Sequence, residues 1–162
     1  MNIDLTHLKE QAKLQEKSYK LFFKSVRKNQ MHALDDTVHA LHKEVFEEIN
    51  CLDCGNCCRT LSPRITHLDI QRMASALRIK AQDVEDKYLR MDEDDDYVFR
   101  TSPCPFLMDD NSCRIYDNRP KACREYPHTN RKKFFQIREL TLVNAETCPA
   151  VSEVLKRLKE EF

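Results

Sequence analysis

Cys51-Leu52-Asp53-Cys54-Gly55-Asn56-Cys57-Cys58 places four thiols in eight residues, and Cys104, Cys113, Cys123 and Cys148 bring the total to eight. A two-residue gap between cysteines lets two sulfurs converge on one cation while the turn between them aims backbone N–H groups at sulfur. Gly55 follows Cys54, where such a turn calls for a positive φ that glycine adopts without steric cost. It is the only glycine in the 162-residue chain. Four thiolates make a tetrahedral zinc site, and four also hold an iron–sulfur cluster. Eight cysteines therefore read as two sets of four. Burial as small hydrophobes would account for one or two of them, but not for four packed side by side.

The pattern is not that of a bacterial ferredoxin. C-x2-C-x2-C matches its first three ligands, but the fourth ligand at C-x3-C-P spacing is missing. Cys58 follows Cys57 directly, and the cysteine–proline pairs lie far away at Cys104-Pro105 and Cys148-Pro149. Successive side chains tend to diverge, so Cys57 and Cys58 are expected to point to different places. Either they serve two neighbouring sites or one is not a ligand. Residues 114–138 carry eight basic side chains against Asp117 and Glu125. Four thiolates on a divalent ion leave excess negative charge, which nearby arginines would offset while lowering thiol pKa values. A solvated basic face is the plainer reading of the same run.

Composition narrows the alternatives. One glycine rules out a P-loop and a G-x-G-x-x-G turn, each of which needs several glycines in one place. The 27 basic and 27 acidic side chains cancel, which argues against sequence-independent nucleic-acid binding. Asp92-Glu93-Asp94-Asp95-Asp96 lacks the glycine and the distal glutamate of a calcium loop and reads as an acidic surface turn. H-E-x-x-H and the C-x3-C-x2-C run of radical S-adenosylmethionine enzymes are absent, and no spacing names a substrate. The chain opens without an apolar signal run and has no stretch near the ~20 apolar residues of a membrane span. A cytoplasmic location follows as the expectation, and structural disulfides are rare there.

The elements that must position the cysteines are expected to be mainly α-helical with a small β element. Leu5, Leu8, Ala12, Tyr19, Phe22 and Val26 recur at spacings that mark one face of an amphipathic helix. Leu34, Val38, Leu41, Val45 and Ile49 mark a second, with a break near Asn29-Gln30. His32, His39 and His42 on the second helix read as a solvated face rather than a metal site. Thr66 is a plausible N-cap for a helix to Leu77, with Asp69 in its first turn. Helical turns follow around Ala81 to Leu89. Tyr97-Val98-Phe99 reads as a strand, and Phe134 to Val143 as a second strand-like run. Pro120 could open a short helix carrying Cys123 inward, with Tyr116 and Tyr126 covering the site and Arg119 and Arg124 donating hydrogen bonds. Cys148-Pro149 starts a last amphipathic helix. The expected organisation is a helical hairpin arm over 1–47, able to meet a protein partner, and a cysteine-cluster domain over 48–162.

Taken together, Cys51-x2-Cys54-Gly55-x-Cys57-Cys58-Arg59, Cys104-Pro105-Phe106-Leu107, Cys113-x-Ile115-Tyr116-x2-Arg119-Pro120-x2-Cys123-Arg124-x-Tyr126-Pro127 and Cys148-Pro149 resemble the bacterial YkgJ-type cysteine-cluster family, also called CxxCxxCC. The resemblance covers about residues 48–150. It implies a domain that chelates zinc or iron, the latter in some readings as an iron–sulfur cluster. It also implies that Cys51, Cys54, Cys57, Cys58, Cys104, Cys113, Cys123 and Cys148 are its ligands. Two functions stay open. One is a metal-binding protein in a structural, adaptor or carrier role. The other is an iron–sulfur redox protein or modifying enzyme similar to flagellin lysine methylase, a relative of the family.

Overall fold

The structure is a computed structural model that describes residues 5–162. It is mainly α-helical with one small hairpin, as expected from the sequence. The chain divides into two compact units. One combines the residues up to Asp53 with Pro127–Phe162, and the other is Cys54–Tyr126.

In the first unit, α1 (Leu8–Ser25) and α2 (Met31–Glu48) are joined by a single 3-10 turn at Lys28–Gln30. The stripe read on α2 is its buried face, with Leu34, Val38, Leu41 and Val45 buried. On α1 the stripe holds in part. Leu8, Ala12 and Tyr19 are buried, Phe22 and Val26 are half-buried, and Leu5 lies before the helix and is exposed. Phe23, outside the read stripe, is buried. These faces close against α8 (Arg138–Ala145) and α9 (Pro149–Glu161), where Val151, Val154, Leu155 and Leu158 are buried. Pro149 at the first position of α9 gives up an N–H that no helix would use. Arg157 on α9 forks onto both carboxylate oxygens of Glu48 at 2.9 Å and reaches Glu153 at 2.8 Å. Phe134, fully buried, packs near Phe23. Its turn is fastened by Asp35, which accepts the N–H groups of Lys133 at 2.6 Å and Phe134 at 2.8 Å.

Two sequence expectations change in this unit. The strand-like run over 134–143 is a 3-10 turn, Phe134–Ile137, leading into α8. Thr141, Leu142, Asn144 and Ala145 are buried while Leu140 and Val143 are exposed, a helical rather than an alternating pattern. Packing against α1 and α9 overrides the β-branched composition of the run. The histidine face of α2 is not uniformly solvated. His32 is exposed beside Asp36, but His39 Nε2 lies 3.1 Å from the Arg131 carbonyl. His42 Nδ1 lies 2.7 Å from the Thr129 hydroxyl, and its ring stacks on Phe46. Burial first, then the neighbouring His39, holds His42 below the usual imidazole range.

The second unit builds a smaller core from Ile65, Ile70, Met73, Ala74, Val84, Leu89, Phe99, Phe106 and Ile115. Its helices are α4 (Asn56–Thr60), α5 (His67–Leu77), α6 (Ala81–Tyr88) and α7 (Lys121–Glu125). Thr66 caps α5 as the sequence predicts, in a capping box with Asp69. The hairpin pairs β1 (Leu89–Met91) antiparallel to β2 (Tyr97–Phe99), in register Leu89 to Phe99 and Met91 to Tyr97. The acidic run is its turn. Asp92 Oδ1 accepts the N–H groups of Asp94 and Asp96, each at 3.0 Å. A long irregular stretch from Arg100 to Pro120 then winds back over the core.

Candidate metal centre

Gly55 has φ +58°, the left-handed conformation expected of it. A Cβ there would run into the guanidinium of Arg59 and come within 2.9 Å of Asn111 Oδ1. Glycine is therefore required twice, for the turn and for the close approach of Arg59. From that turn α4 rises and carries Cys57 and Cys58. The expected divergence of these two side chains is not observed, since Cys57 hydrogen-bonds to the sulfur of Cys58. Successive residues on a helix are ~100° apart, close enough for two large sulfurs to touch.

The irregular stretch is stitched to α4 by its backbone. Cys104 N–H donates to the Cys58 carbonyl at 2.8 Å, and the Ser102 hydroxyl to the Arg59 carbonyl at 2.7 Å. Leu107 and Cys113 form an antiparallel bridge, and Arg114 N–H donates to the Phe106 carbonyl at 2.9 Å. Each of these turns aims N–H groups at sulfur. Phe106 and Leu107 donate to Cys104, and Ile115 donates to Cys113. The side chains of Cys104 and Cys113 pack on the core of this unit. Pro120 opens α7 and Arg119 before it is extended, with ψ 146°, as the sequence predicts. Two residues into α7 stands Cys123.

Cys58, Cys104, Cys113 and Cys123, all half-buried, lie near enough to act on one another's charge. Burial pushes the thiol of Cys104 up to about 11 and that of Cys123 up to about 12, and raises Cys113. The neighbouring sulfurs push in the same direction. Cys58 goes the other way, down to about 6. The hydrogen bond from Cys57 is the main cause and outweighs burial, with Arg119 and Arg59 adding their positive charge. Arg119 also acts on Cys113 and Cys123. Its guanidinium stacks 3.6 Å above the Tyr116 ring, and its Nε donates to the Tyr116 carbonyl at 2.8 Å. Arg59 is anchored by Asn111 and by the Cys54 carbonyl at 3.1 Å.

Four thiols, N–H donors to sulfur and two guanidinium groups fit a soft cation whose thiolate shell carries excess negative charge. Among the described residues, no group of three or more Cys, His, Asp or Glu side chains is placed so that it could hold a metal ion without rearrangement. The remaining cysteines are placed separately. Cys54 belongs to the same unit at the start of the Gly55 turn, whereas Cys51 and Cys148 belong to the helical unit. Cys51 is exposed, and Cys148 packs on the helical core as the N-cap residue of α9.

The family model CxxCxxCC, described as a putative zinc- or iron-chelating domain, matches residues 50–149. The chain belongs to the CxxCxxCC family. No curated protein and no solved structure matches it. Membership agrees with the sequence resemblance, and the matched range takes in all eight cysteines. No described helix is long and apolar enough to cross a membrane. The hydrogen bond from the Lys121 N–H on α7 to Asp69 Oδ1 escaped the sequence reading, because it spans 52 positions.

The donor set of this CxxCxxCC domain has a measurable consequence for pH. Cys104, Cys113 and Cys123 are protonated at neutral pH in this fold, and thiolates are what bind metal. If these four thiols are the ligands and the metal-free unit unfolds, all four are protonated at pH 7. Each Zn²⁺ bound should then displace about four protons, and affinity should rise about ten-thousandfold per pH unit. A metal-free unit that stays folded would keep Cys58 low and give about three. Calorimetry in buffers of different ionisation enthalpy reads the number directly, and a value near one would contradict the four-thiol set.

Proposed function

We propose that the chain binds zinc or iron through a centre built on Cys58, Cys104, Cys113 and Cys123, and that the ion organises the unit around it. The carrying observation is that these four thiols, drawn from α4, the irregular stretch and α7, act on one another within one small unit. No local element holds them together, and a shared cation would. Cys51, Cys54, Cys57 and Cys148 are carried as further metal ligands on the strength of the sequence resemblance, which covers all eight cysteines. The role is structural, as an adaptor or carrier acting in the cytoplasm. Exposed Leu14 and Leu21, seven residues apart on α1, support a protein partner met by the amino-terminal helices. The N–H groups aimed at sulfur favour one second reading, an iron–sulfur redox or modifying centre, since such bonds tune cluster potentials.

Metal analysis with a visible absorption spectrum, on protein purified without oxygen, tests both readings. Zinc or mononuclear iron at one or two equivalents, with no sulfide, supports the first. Iron with acid-labile sulfide and charge-transfer bands supports the second. Protein that is folded and free of both metals would overturn the assignment.

A further inference from the structure

We propose that Asp69 is a positioning residue for the metal centre, with one carboxylate oxygen capping its own helix and the other setting the helix that carries Cys123. The inference rests on Cys123 being a ligand, as proposed above. Oδ2 is engaged locally, accepting the Thr66 N–H at 2.9 Å and the Thr66 hydroxyl at 2.6 Å. Oδ1 is engaged across 52 positions, accepting the Lys121 N–H at 2.9 Å, and it also accepts from Arg72 Nη2. Arg72 Nη2 lies 3.3 Å from the Arg119 carbonyl as well. The backbone is thus fastened on both sides of Pro120, at Lys121, two residues before Cys123, and at Arg119, whose guanidinium acts on Cys58, Cys113 and Cys123.

Capping alone does not explain this arrangement. A capping box works at the surface, yet the Asp69 side chain is 1% exposed. A carboxylate so buried is tolerated only when its oxygens are fully partnered, and one of its four donors, the Lys121 N–H, comes from the Cys123 segment. Nothing else caps α7, whose N-cap is a proline without a side-chain hydrogen bond. Asp69 therefore supplies the acceptor for the first N–H of the Cys123 helix. Outer partners that orient a metal ligand typically account for 10–100-fold in metal affinity.

The experiment uses the full chain loaded with Zn²⁺ alone. It follows transfer of the ion to excess chromophoric chelator well below the thermal midpoint, and the d–d absorption of the Co²⁺-substituted protein. Asp69→Ala removes both engagements. Lys121→Pro removes only the N–H that Oδ1 accepts. Proline is tolerated at a first helical position, and Pro120 already has the extended ψ, 149°, that a following proline requires. Thr66→Ala removes the local cap hydroxyl and leaves Oδ1 in place. Asp69→Ala and Lys121→Pro should release zinc ~10–100-fold faster and weaken the Co²⁺ band as Cys123 leaves its place. Lys121→Ala and Thr66→Ala should release at the parental rate, although Thr66→Ala lowers the thermal midpoint.

Parental release and an unchanged Co²⁺ band in Lys121→Pro would overturn the proposal, even if Asp69→Ala fails to fold. So would acceleration in Thr66→Ala equal to that in Lys121→Pro, because the two oxygens would then have no separate tasks. Cys123→Ser identifies which reading has failed. If it keeps its ion at the parental release rate, Cys123 is no ligand and the anchor falls with it. If it loses the ion while Lys121→Pro and Asp69→Ala do not, only the anchor falls.

Discussion

Stripping the metal should unfold residues 54–126 while leaving the helices of the other unit protected. The second unit, Cys54–Tyr126, lies at the ~70–80-residue limit below which a core rarely supplies more than ~3–5 kcal/mol. Its core has nine buried residues against sixteen in the first unit, and the Arg100–Pro120 stretch is held by scattered turn hydrogen bonds rather than by a ladder. A structural zinc site supplies ~10–16 kcal/mol in small peptides, which exceeds what that core contributes. The first unit depends on no such term. Its buried face runs continuously through Phe23, Leu34, Val38, Leu41, Val45, Phe134, Val154 and Leu158. Hydrogen exchange after exhaustive chelation should therefore show peptides from α5 and β2 losing protection, with peptides from α2 and α9 keeping it. Circular dichroism should fall only in part. Unchanged protection across 54–126 in fully metal-free protein would sink the organising role of the ion.

What the sequence reveals about this protein follows from what is local. The stripes of α2 and α9, the Thr66 cap, the Gly55 turn and the Pro120 start of α7 are each decided within about one helical turn, and each stands in the structure as read. The α1 stripe stands in part, with Phe23 buried and Leu5 exposed. The run from Phe134 to Val143 misled because its β-branched residues favour a strand locally, while burial of Leu142 and Ala145 selects a helix. His42 and Asp69 misled for a related reason. A histidine near the flank of an apolar stripe and an acid in a first helical turn are both adequately explained at short range. Their partners, Thr129 and Lys121, come from segments far along the chain. The cysteines were legible as chemistry, but which of them meet depends on the path of the Arg100–Pro120 stretch, which no periodicity encodes.

Substituting the eight cysteines by serine, one at a time, should sort them into two groups. Serine is close in size but a poor ligand for a soft metal, so metal content separates ligation from packing. Cys58→Ser, Cys104→Ser, Cys113→Ser and Cys123→Ser should each lose the same equivalent, because their thiols occupy one electrostatic neighbourhood. They should also lower the thermal midpoint of residues 54–126 most steeply. Cys51→Ser and Cys54→Ser should lose a different equivalent, and the equivalent that Cys148→Ser loses assigns Cys148 to one group or the other. Cys57→Ser is the decisive variant. Its side chain hydrogen-bonds to Cys58 and is the main cause of that thiol's low pKa, while its C-x2-C-x2-C spacing aligns it with Cys51 and Cys54. If Cys57 is a ligand of the second set, its loss should follow Cys51→Ser in stoichiometry and weaken the first ion by a smaller factor. If it serves only as a donor to Cys58, Cys57→Ser should keep both equivalents, since a serine hydroxyl also donates. Cys57→Ala should then keep both and move only the pH dependence of the first, with the ion held less well on the acid side. Cys58 would then need a higher pH to reach the thiolate. Eight variants that all lose the same metal would instead require one shared centre and end the two-set assignment. Normal metal content in Cys58→Ser would remove the residue around which the proposed first centre is built.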